Sequence, residues 1–278
     1  MIQKYIEAEN FKPLIKFLDG YSTSHANTPK TEQKRYVVKE IKKYINGKYS
    51  GEELFHRYFD ISNDLTLYKE DVSKEIGISL ISNGYSFNKK KSVEILIKIA
   101  DDKNWEVREY AAGAFSNIAN AYPDFYKTLM KLTKHSSVNV KRAVLFAAIG
   151  LMKDDQLDKA FDLIEPLLYE SSTYIKKNHG PFILGSYLGN NYPKETFAKI
   201  KEWLRIKDEH VRWNLAMAFN NSFGNKYPDE ALKVLETLSK DESKVVRRAV
   251  ISTLRSFHKR HPDKINNFLK NNSHINSL

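Results

Sequence analysis

A nine-residue stretch, Val107-Arg108-Glu109-Tyr110-Ala111-Ala112-Gly113-Ala114-Phe115, recurs in altered form four more times and decides the fold. The later copies begin at Val140, Ile175, Val211 and Val246, so that successive starts lie 33 to 36 residues apart. Each copy opens with a β-branched residue followed by Arg or Lys. Apolar residues then recur at three- and four-residue spacing, which indicates an amphipathic helix. A repeat of this length is typical of α-solenoids, in which neighbouring repeats cover each other's apolar faces.

A second helix accompanies each copy. Four of the five copies end in a proline turn, at Pro123, Pro193, Pro228 and Pro262. Amphipathic stretches follow three of these turns, over Phe125–Thr133, Thr196–Arg205 and Ala231–Ser239. Two antiparallel helices in about 35 residues are typical of HEAT or armadillo repeats. We therefore predict an all-α protein, a right-handed α-solenoid of HEAT-like hairpins, whose second helices begin near residues 106, 139, 174, 210 and 245.

The domain prediction has three parts. Residues 93–270 form five HEAT-like repeats, residues 1–92 form a helical cap that includes degenerate repeats, and residues 271–278 form a flexible tail. In the cap the pattern predicts helices over Ile2–Leu18, Thr31–Asn46, Gly51–Phe59 and Leu65–Gly84. The loops fall at Tyr21–Pro29 and Ser86–Lys91.

Composition excludes several classes of function. The chain has no cysteine, which excludes disulfide-stapled folds, thiolate zinc sites and cysteine nucleophiles. The longest run of apolar residues and glycine, Ala143–Met152, is too short to span a bilayer. The N-terminus shows no secretion signal, so we expect a cytoplasmic protein. Lys and Arg total 45 against 34 Asp and Glu, a net charge of +11, and this surplus favours nucleic acid as partner, with anionic membrane second.

The basic residues recur at fixed repeat positions. The position after the β-branched residue, the first position, is always basic, and the next, the second position, is often basic. First-position cations are Arg108, Lys141, Lys176, Arg212 and Arg247; second-position cations are Arg142, Lys177 and Arg248. Rotation of 100° per residue takes both positions off the buried stripe, so stacked repeats would form a basic ladder suited to duplex phosphates. The alternative for the first position is structural, a salt bridge to Asp or Glu of the adjacent repeat, as offered by Asp208 or Asp241.

One repeat departs from the basic pattern, because its second position holds Glu109, four residues after Trp105. Here the chain resembles the HEAT-like DNA alkylation repair family (the AlkD/AlkC type of DNA glycosylase). In that family a Trp precedes an acid by four residues at the start of one second helix, and an Arg in the next repeat, matched by Arg142, contacts phosphate. The family's second substrate-facing Trp is absent near Phe182. Trp213 is an aromatic candidate for the same groove.

The resemblance implies a DNA glycosylase that excises cationic N-alkylated purines from double-stranded DNA. It implies that Glu109 stabilises charge on the sugar, that Trp105 packs against the base, and that no metal or other cofactor takes part. The alternative is a non-catalytic HEAT protein that binds nucleic acid or an acidic protein partner. We expect a monomer without membrane association.

Two further features have plain structural interpretations. His258 and His261 are expected to be cationic helix-end residues and not metal ligands. Gly180-Pro181 predicts a kink in the third second helix, with Phe182 in the core because it lies seven residues after Ile175. The less favoured alternative is a groove-lining bend that presents His179 or Phe182 to a ligand.

Overall fold

The structure, a computed structural model, describes residues 2–23 and 26–275, and every regular element in these ranges is helical. This confirms the all-α prediction. The contacts divide the chain into two compact units, Met1–Gly150 and Leu151–Leu278. The boundary between these units lies inside the predicted repeat array. Within the described ranges, none of the helices is both long enough and apolar enough to cross a membrane.

The first unit consists of nine α-helices in its described residues. These are α1 (Ile2–Glu7), α2 (Phe11–Asp19), α3 (Thr31–Lys48), α4 (Gly51–Leu67), α5 (Asp71–Gly84), α6 (Lys89–Ala100), α7 (Trp105–Ala121), α8 (Tyr126–Leu132) and α9 (Val138–Ala147). A 3-10 turn, Pro123–Phe125, precedes α8, and another, Ala148–Leu151, follows α9.

The second unit continues with the same kind of hairpin. Its α-helices are α10 (Leu157–Ile164), α11 (Thr173–Asn178), α12 (Pro193–Trp203), α13 (Glu209–Met217), α14 (Ser222–Lys226), α15 (Pro228–Ser239), α16 (Lys244–His258) and α17 (Pro262–Asn271). A 3-10 segment, Glu165–Tyr169, follows α10, and a π-helical segment, His179–Gly189, continues α11.

The five predicted second helices are confirmed, each starting within one residue of the expected position. They begin at Trp105, Val138, Thr173, Glu209 and Lys244. Side chains of the preceding residue explain four of these starts, because Asn104, Ser137, Asp208 and Ser243 accept hydrogen bonds from backbone N–H groups of the first turn. The β-branched residue of each copy is fully buried, as the repeat pattern requires.

The N-terminal helices differ from the prediction in three places. The stretch Ile2–Leu18 is two helices, separated where Glu9 has a left-handed φ of 49°. The break predicted after Phe59 is wrong, because α4 runs on to Leu67: the polar Ser62 is buried there and donates its hydroxyl to the carbonyl of Gly77 in α5 (2.8 Å). Helix α6 begins at Lys89, so the loop that was predicted to run to Lys91 ends at Asn88.

The third second helix shows the largest local departure. Residues 179–189 are π-helical, and Gly180 and Gly185 let this segment approach α13, since a Cβ at either would overlap backbone atoms of Asn214 or Ala218. The wider π turn breaks the 3.6-residue spacing that placed Phe182 in the core. Phe182 is 38% exposed and packs edge-on against Tyr187, so its predicted burial is wrong.

The end of the chain is partly described. Residues 276–278 of the predicted flexible tail lie outside the described residues. Before them Asn272 is buried, and the His274 ring nitrogen Nε2 lies 2.8 Å from the Ser239 hydroxyl. Residues 272–275 therefore pack against the end of α15.

Candidate functional site

A pocket of about 440 Å³ opens on the first unit between α3, α5 and α7. Helix α7 supplies most of its lining, including Trp105, Glu109 and Tyr110, while Arg35 comes from α3 and Ser79 from α5. The pocket therefore joins the predicted cap to the first regular repeat. It is the place where the residues singled out by the family resemblance lie.

Trp105 and Glu109 line this pocket together. Asn104 caps α7, which makes Trp105 the first helical residue and leaves its side chain 42% exposed. One turn later the Glu109 side chain is 39% exposed, whereas Val107 between them is buried. The rotation of about 200° between Val107 and Glu109 explains this difference. The Glu109 carboxylate and the Trp105 indole therefore belong to the lining of one pocket.

Arg142 holds the Glu109 carboxylate from the next repeat. Its Nη2 lies 2.5 Å from Glu109 Oε1, and its guanidinium carbon lies 4.5 Å from the centre of the Phe146 ring. Only 6% of the Arg142 side chain is exposed. The expectation that Arg142 projects into a groove to contact phosphate is therefore corrected. Arg142 holds the second position of its repeat, and it forms an ion pair with Glu109, the acidic residue at the second position of the preceding repeat.

Below the pocket lies a buried charge network that the sequence analysis missed. Lys34 of α3 is fully buried, and its Nζ lies 2.7 Å from Glu106 Oε1 and 2.9 Å from Glu75 Oε2. It also donates to the Thr28 hydroxyl (3.1 Å), which in turn donates to Glu106 Oε2 (2.7 Å). The network ties α3, α5 and α7 to each other. The sequence signal was a lysine three residues before Val37 on the apolar stripe of α3.

The network shifts two pKa values. Burial lowers the pKa of Lys34, but the hydrogen bonds and charges of Glu106 and Glu75 outweigh it and hold that pKa above 10.5. Burial dominates at Glu75 and raises its pKa from 4.5 to about 7, against the opposing effect of Lys34. One lysine thus faces two carboxylates, and burial disfavours the ionised form of Glu75.

Three first-position arginines have structural partners. Arg108 Nη1 donates to the carbonyls of Asp102 (2.8 Å) and Lys103 (2.9 Å), and Arg247 Nη1 makes the same bonds to Asp241 and Glu242 (2.6 and 2.8 Å). These two brace the loop that precedes their own helix. Arg212 is largely buried, and its Nε lies 2.5 Å from Asp241 Oδ2 in the adjacent repeat.

The structural alternative, a salt bridge to the adjacent repeat, describes Arg212, whereas Arg108 and Arg247 bond backbone carbonyls of the loop before their own helix. Hydrogen bonds to loop carbonyls or to Asp241 hold each guanidinium in place, which favours a structural role for these arginines over the expected place in a phosphate ladder.

The remaining basic positions fall into two groups. Lys176 is buried, with its Nζ 4.3 Å from the centre of the Trp213 ring, and burial lowers its pKa. Trp213 is partly exposed. Lys176 is thus not presented as an exposed phosphate ligand, which corrects that expectation. By contrast Lys177 and Arg248 are exposed and Lys141 is partly exposed, so their predicted DNA contacts stay predictions.

Of the two histidines singled out in the sequence, His258 has a side-chain partner in the helix that follows. His258 Nε2 lies 3.3 Å from Asn266 Oδ1, at the end of α16. In the part of the chain that the structure describes, no three His, Asp or Glu side chains gather as metal ligands would.

Comparison with known families adds two matches. The HEAT repeat model matches residues 93–122, which contain most of α6 and all of α7. The model described as DNA alkylation repair enzyme matches residues 180–277. The chain therefore has the HEAT-repeat fold and is similar, over residues 180–277, to the DNA alkylation repair enzymes. The α-solenoid class and the family resemblance predicted from the sequence are both confirmed.

The two matches fall in different units of the chain. The DNA alkylation repair match lies in the second unit and covers about a third of the chain. Trp105 and Glu109 lie outside it, in the hairpin that the HEAT model matches. The relationship therefore rests on the second unit, whereas the candidate site rests on the geometry of the first.

Comparison with individual proteins adds little. No curated protein matches the chain. Among solved structures, two engineered proteins from the Northeast Structural Genomics Consortium are similar to it. One is 18% identical with a TM-score of 0.32 and covers 91% of this chain and 70% of its own; the other is 14% identical with a TM-score of 0.28 and covers 88% and 96%. Neither likeness bears on function.

Proposed function

We propose that this HEAT-repeat protein is a DNA glycosylase that releases cationic N-alkylated purines from double-stranded DNA, with Trp105 and Glu109 at its site. The observation that carries the proposal is that both side chains open onto one pocket while Arg142 fixes the carboxylate at 2.5 Å. The relationship to the DNA alkylation repair enzymes and the net charge of +11 support DNA as the partner.

The chemistry follows from the charge of the lesion. An N-alkylated purine carries a positive charge, so when its glycosidic bond breaks, the electron pair neutralises the departing base. Positive charge moves to the sugar, where water adds to the anomeric carbon and releases its proton. A carboxylate beside that carbon stabilises the developing charge and orients the water. The partial exposure of the Glu109 side chain and its position in the pocket lining support this role.

Trp105 supplies the second element of recognition. A cation over an indole face is attracted by the ring, and the attraction grows to about 2 kcal/mol when water is excluded. A cationic purine therefore binds this ring more tightly than a neutral purine of the same shape. Lys141, Lys177 and Arg248, which retain side-chain exposure, are the proposed phosphate contacts of the repeats.

The deciding experiment measures release of 7-methylguanine and 3-methyladenine from methylated duplex DNA. Glu109→Gln keeps the shape and removes the charge, and loss of such a contact costs about 10²–10³ in rate. The matched control is Glu94→Gln on α6, an exposed carboxylate outside the pocket, which should keep full activity. DNA affinity should be retained by both variants. Equal release by wild type and Glu109→Gln, or no release by wild type above the spontaneous rate, would refute the glycosylase assignment.

One observation favours a second function, that of a non-catalytic DNA-binding or protein-binding scaffold. The Glu109–Arg142 ion pair links two successive repeats, which gives Glu109 a structural role without any substrate. Under this alternative the wild-type protein binds duplex DNA, or an acidic protein, and releases no base. The Glu109→Gln substitution would then lower the free energy of unfolding, because it removes the negative charge that Arg142 meets at 2.5 Å.

A further inference from the structure

Three cations form a row along α3 beside the pocket: Arg35, Lys39 and Lys42, which we call the α3 row. Their i, i+4 and i+7 spacing places them within about 60° of arc on the helix. The row is turned away from the buried Val37 and lines a hollow of about 400 Å³. This hollow shares Arg35, Ser79 and Tyr110 with the pocket of Trp105 and Glu109, so the two are continuous.

The α3 row differs from Lys34, on the same helix, in its charge partners. Within the described residues, no carboxylate oxygen lies within 4 Å of any of its three charged groups. Lys34 on the same helix has two such partners. Burial lowers the pKa of Lys42, and no nearby carboxylate offsets that effect. A partly desolvated cation without an anion is stabilised when a ligand brings one.

The length of the row matches a nucleic-acid strand. Seven residues of α-helix separate Arg35 from Lys42, which is about 10 Å along the helix axis. Along the duplex axis one strand of B-DNA rises about 3.4 Å per phosphate, so a row of this length covers about three phosphate steps and its three cations can each meet a different phosphate. Lysine and arginine at this spacing read no base and are suited to holding a strand in register.

We propose that the α3 row binds the phosphate backbone that flanks the base held against Trp105 and Glu109. The identity of the partner rests on the proposed function; the site itself rests on the unpaired cations and on the continuity of the two hollows. It assigns a binding role to the region that the sequence analysis treated only as a cap. The contacts should lie on one strand and on one side of the lesion, because the row extends from the pocket along α3 alone.

The test compares two triple variants with the same change in charge. Arg35→Gln/Lys39→Gln/Lys42→Gln removes the row, and Lys12→Gln/Lys16→Gln/Lys43→Gln removes three exposed lysines of α2 and α3 that line neither hollow. Affinity for a fluorescent, undamaged duplex is measured by anisotropy between 50 and 200 mM salt. Hydroxyl-radical footprinting on a lesion-bearing duplex locates the lost contacts.

Each phosphate contact contributes about 0.9 to the slope of log affinity against log salt, so loss of three lowers the slope by about 2.7. Wild-type affinity should therefore fall about 40-fold more than that of the row variant across this fourfold change in salt. The control triple should keep the wild-type slope, and the footprint of the row variant should shorten on one side only. If the triple variant fails to fold, the double variant Arg35→Gln/Lys39→Gln, which changes exposed side chains only, replaces it. Its salt slope should be lower than that of the wild type by about 1.8.

Each outcome decides between the two claims. A wild-type protein that binds duplex with the full slope but releases no base refutes the glycosylase and leaves the α3 row standing. Equal slopes for the row variants and the control triple overturn the α3 row, whatever the catalytic result. Failure of the wild type to bind duplex also overturns it, and binding of an acidic protein by the row would then identify a protein partner.

Discussion

Replacing Glu75 with glutamine should make the protein progressively more stable than wild type as pH rises. In the folded state, burial raises the pKa of Glu75 from 4.5 to about 7, so the folded protein holds this proton more tightly than the unfolded chain does. An acid with a raised pKa contributes stability that is complete below its unfolded pKa and is lost as pH rises through its folded pKa. The wild-type protein therefore loses the stability contributed by Glu75 between about pH 4.5 and about pH 7.

The magnitude follows from the two pKa values. Their difference of about 2.5 corresponds to about 3 kcal/mol at 1.36 kcal/mol per pKa unit. Below pH 4.5 glutamine mimics the protonated acid, and the two proteins should have similar stability. Above pH 7 the variant should gain up to about 3 kcal/mol, because it no longer buries a second carboxylate while Lys34 keeps Glu106 at 2.7 Å.

Urea denaturation followed by circular dichroism at pH 5, 6, 7 and 8 measures the difference in free energy of unfolding between variant and wild type. Groups elsewhere that titrate equally in both proteins cancel from this difference. Glu94→Gln is the matched control, since its carboxylate is exposed, and it should show no pH-dependent difference. A difference that stays constant with pH would refute the argument from burial. A variant that becomes relatively less stable at high pH would show that the Lys34–Glu75 attraction outweighs the cost of burying the charge.

Two further pairs of variants test the packing and the repeat arginines. Gly84→Ala should lower the free energy of unfolding by about 1–3 kcal/mol, because a Cβ there would overlap backbone atoms of Phe59; Gly47→Ala on α3 meets nothing within 4 Å and should raise it by about 0.5–1 kcal/mol. Arg247→Ala should cost about 1–3 kcal/mol through the loss of two hydrogen bonds to loop carbonyls, with little change in DNA affinity. Arg248→Ala should leave stability within about 0.5 kcal/mol and lower the salt slope of DNA binding by about 0.9. Urea midpoints measure the stability of all four variants, and anisotropy titrations measure the DNA affinity of the two arginine variants. A stability loss for Arg248→Ala together with weaker DNA binding by Arg247→Ala would contradict the assignment of Arg247 to the loop and Arg248 to phosphate.

The parts of the fold that the sequence predicted are those that depend on local periodicity. Buried β-branched residues such as Val107 and Val246 mark each second helix, and a polar residue shortly before them caps it. The adjacency of Trp105 and Glu109 was predictable for the same reason, since i and i+4 residues share a helix face. The prediction of burial failed where the helical period itself changed, as in the π-helical segment His179–Gly189, in which Phe182 is exposed.

The parts of the site that could not be predicted depend on distances between repeats. Arg142 follows Glu109 by 33 residues, and only the stacking of two hairpins reveals that the pair meets at 2.5 Å and that Arg142 is buried. Lys34 and Glu106 are 72 residues apart, and helix α3 carries no repeat motif that would align it with α7. Sequence fixes which side chains leave a helix on the same face, but the partner across the interface is set by packing.

The long-range bonds that reach α7 also bear on how the chain can be cut and recombined. In an ideal solenoid each repeat depends only on its neighbours, so whole repeats can be added or removed. Here Lys34 and Thr28 both bond Glu106, and the Asn104 side chain donates to the carbonyl of Ala26, across 72 to 78 residues. A fragment that starts at residue 93, where the HEAT match begins, would leave Glu106 without its buried counter-ion. The N-terminal helices and the first regular repeat should therefore be inherited, swapped or truncated only as one piece.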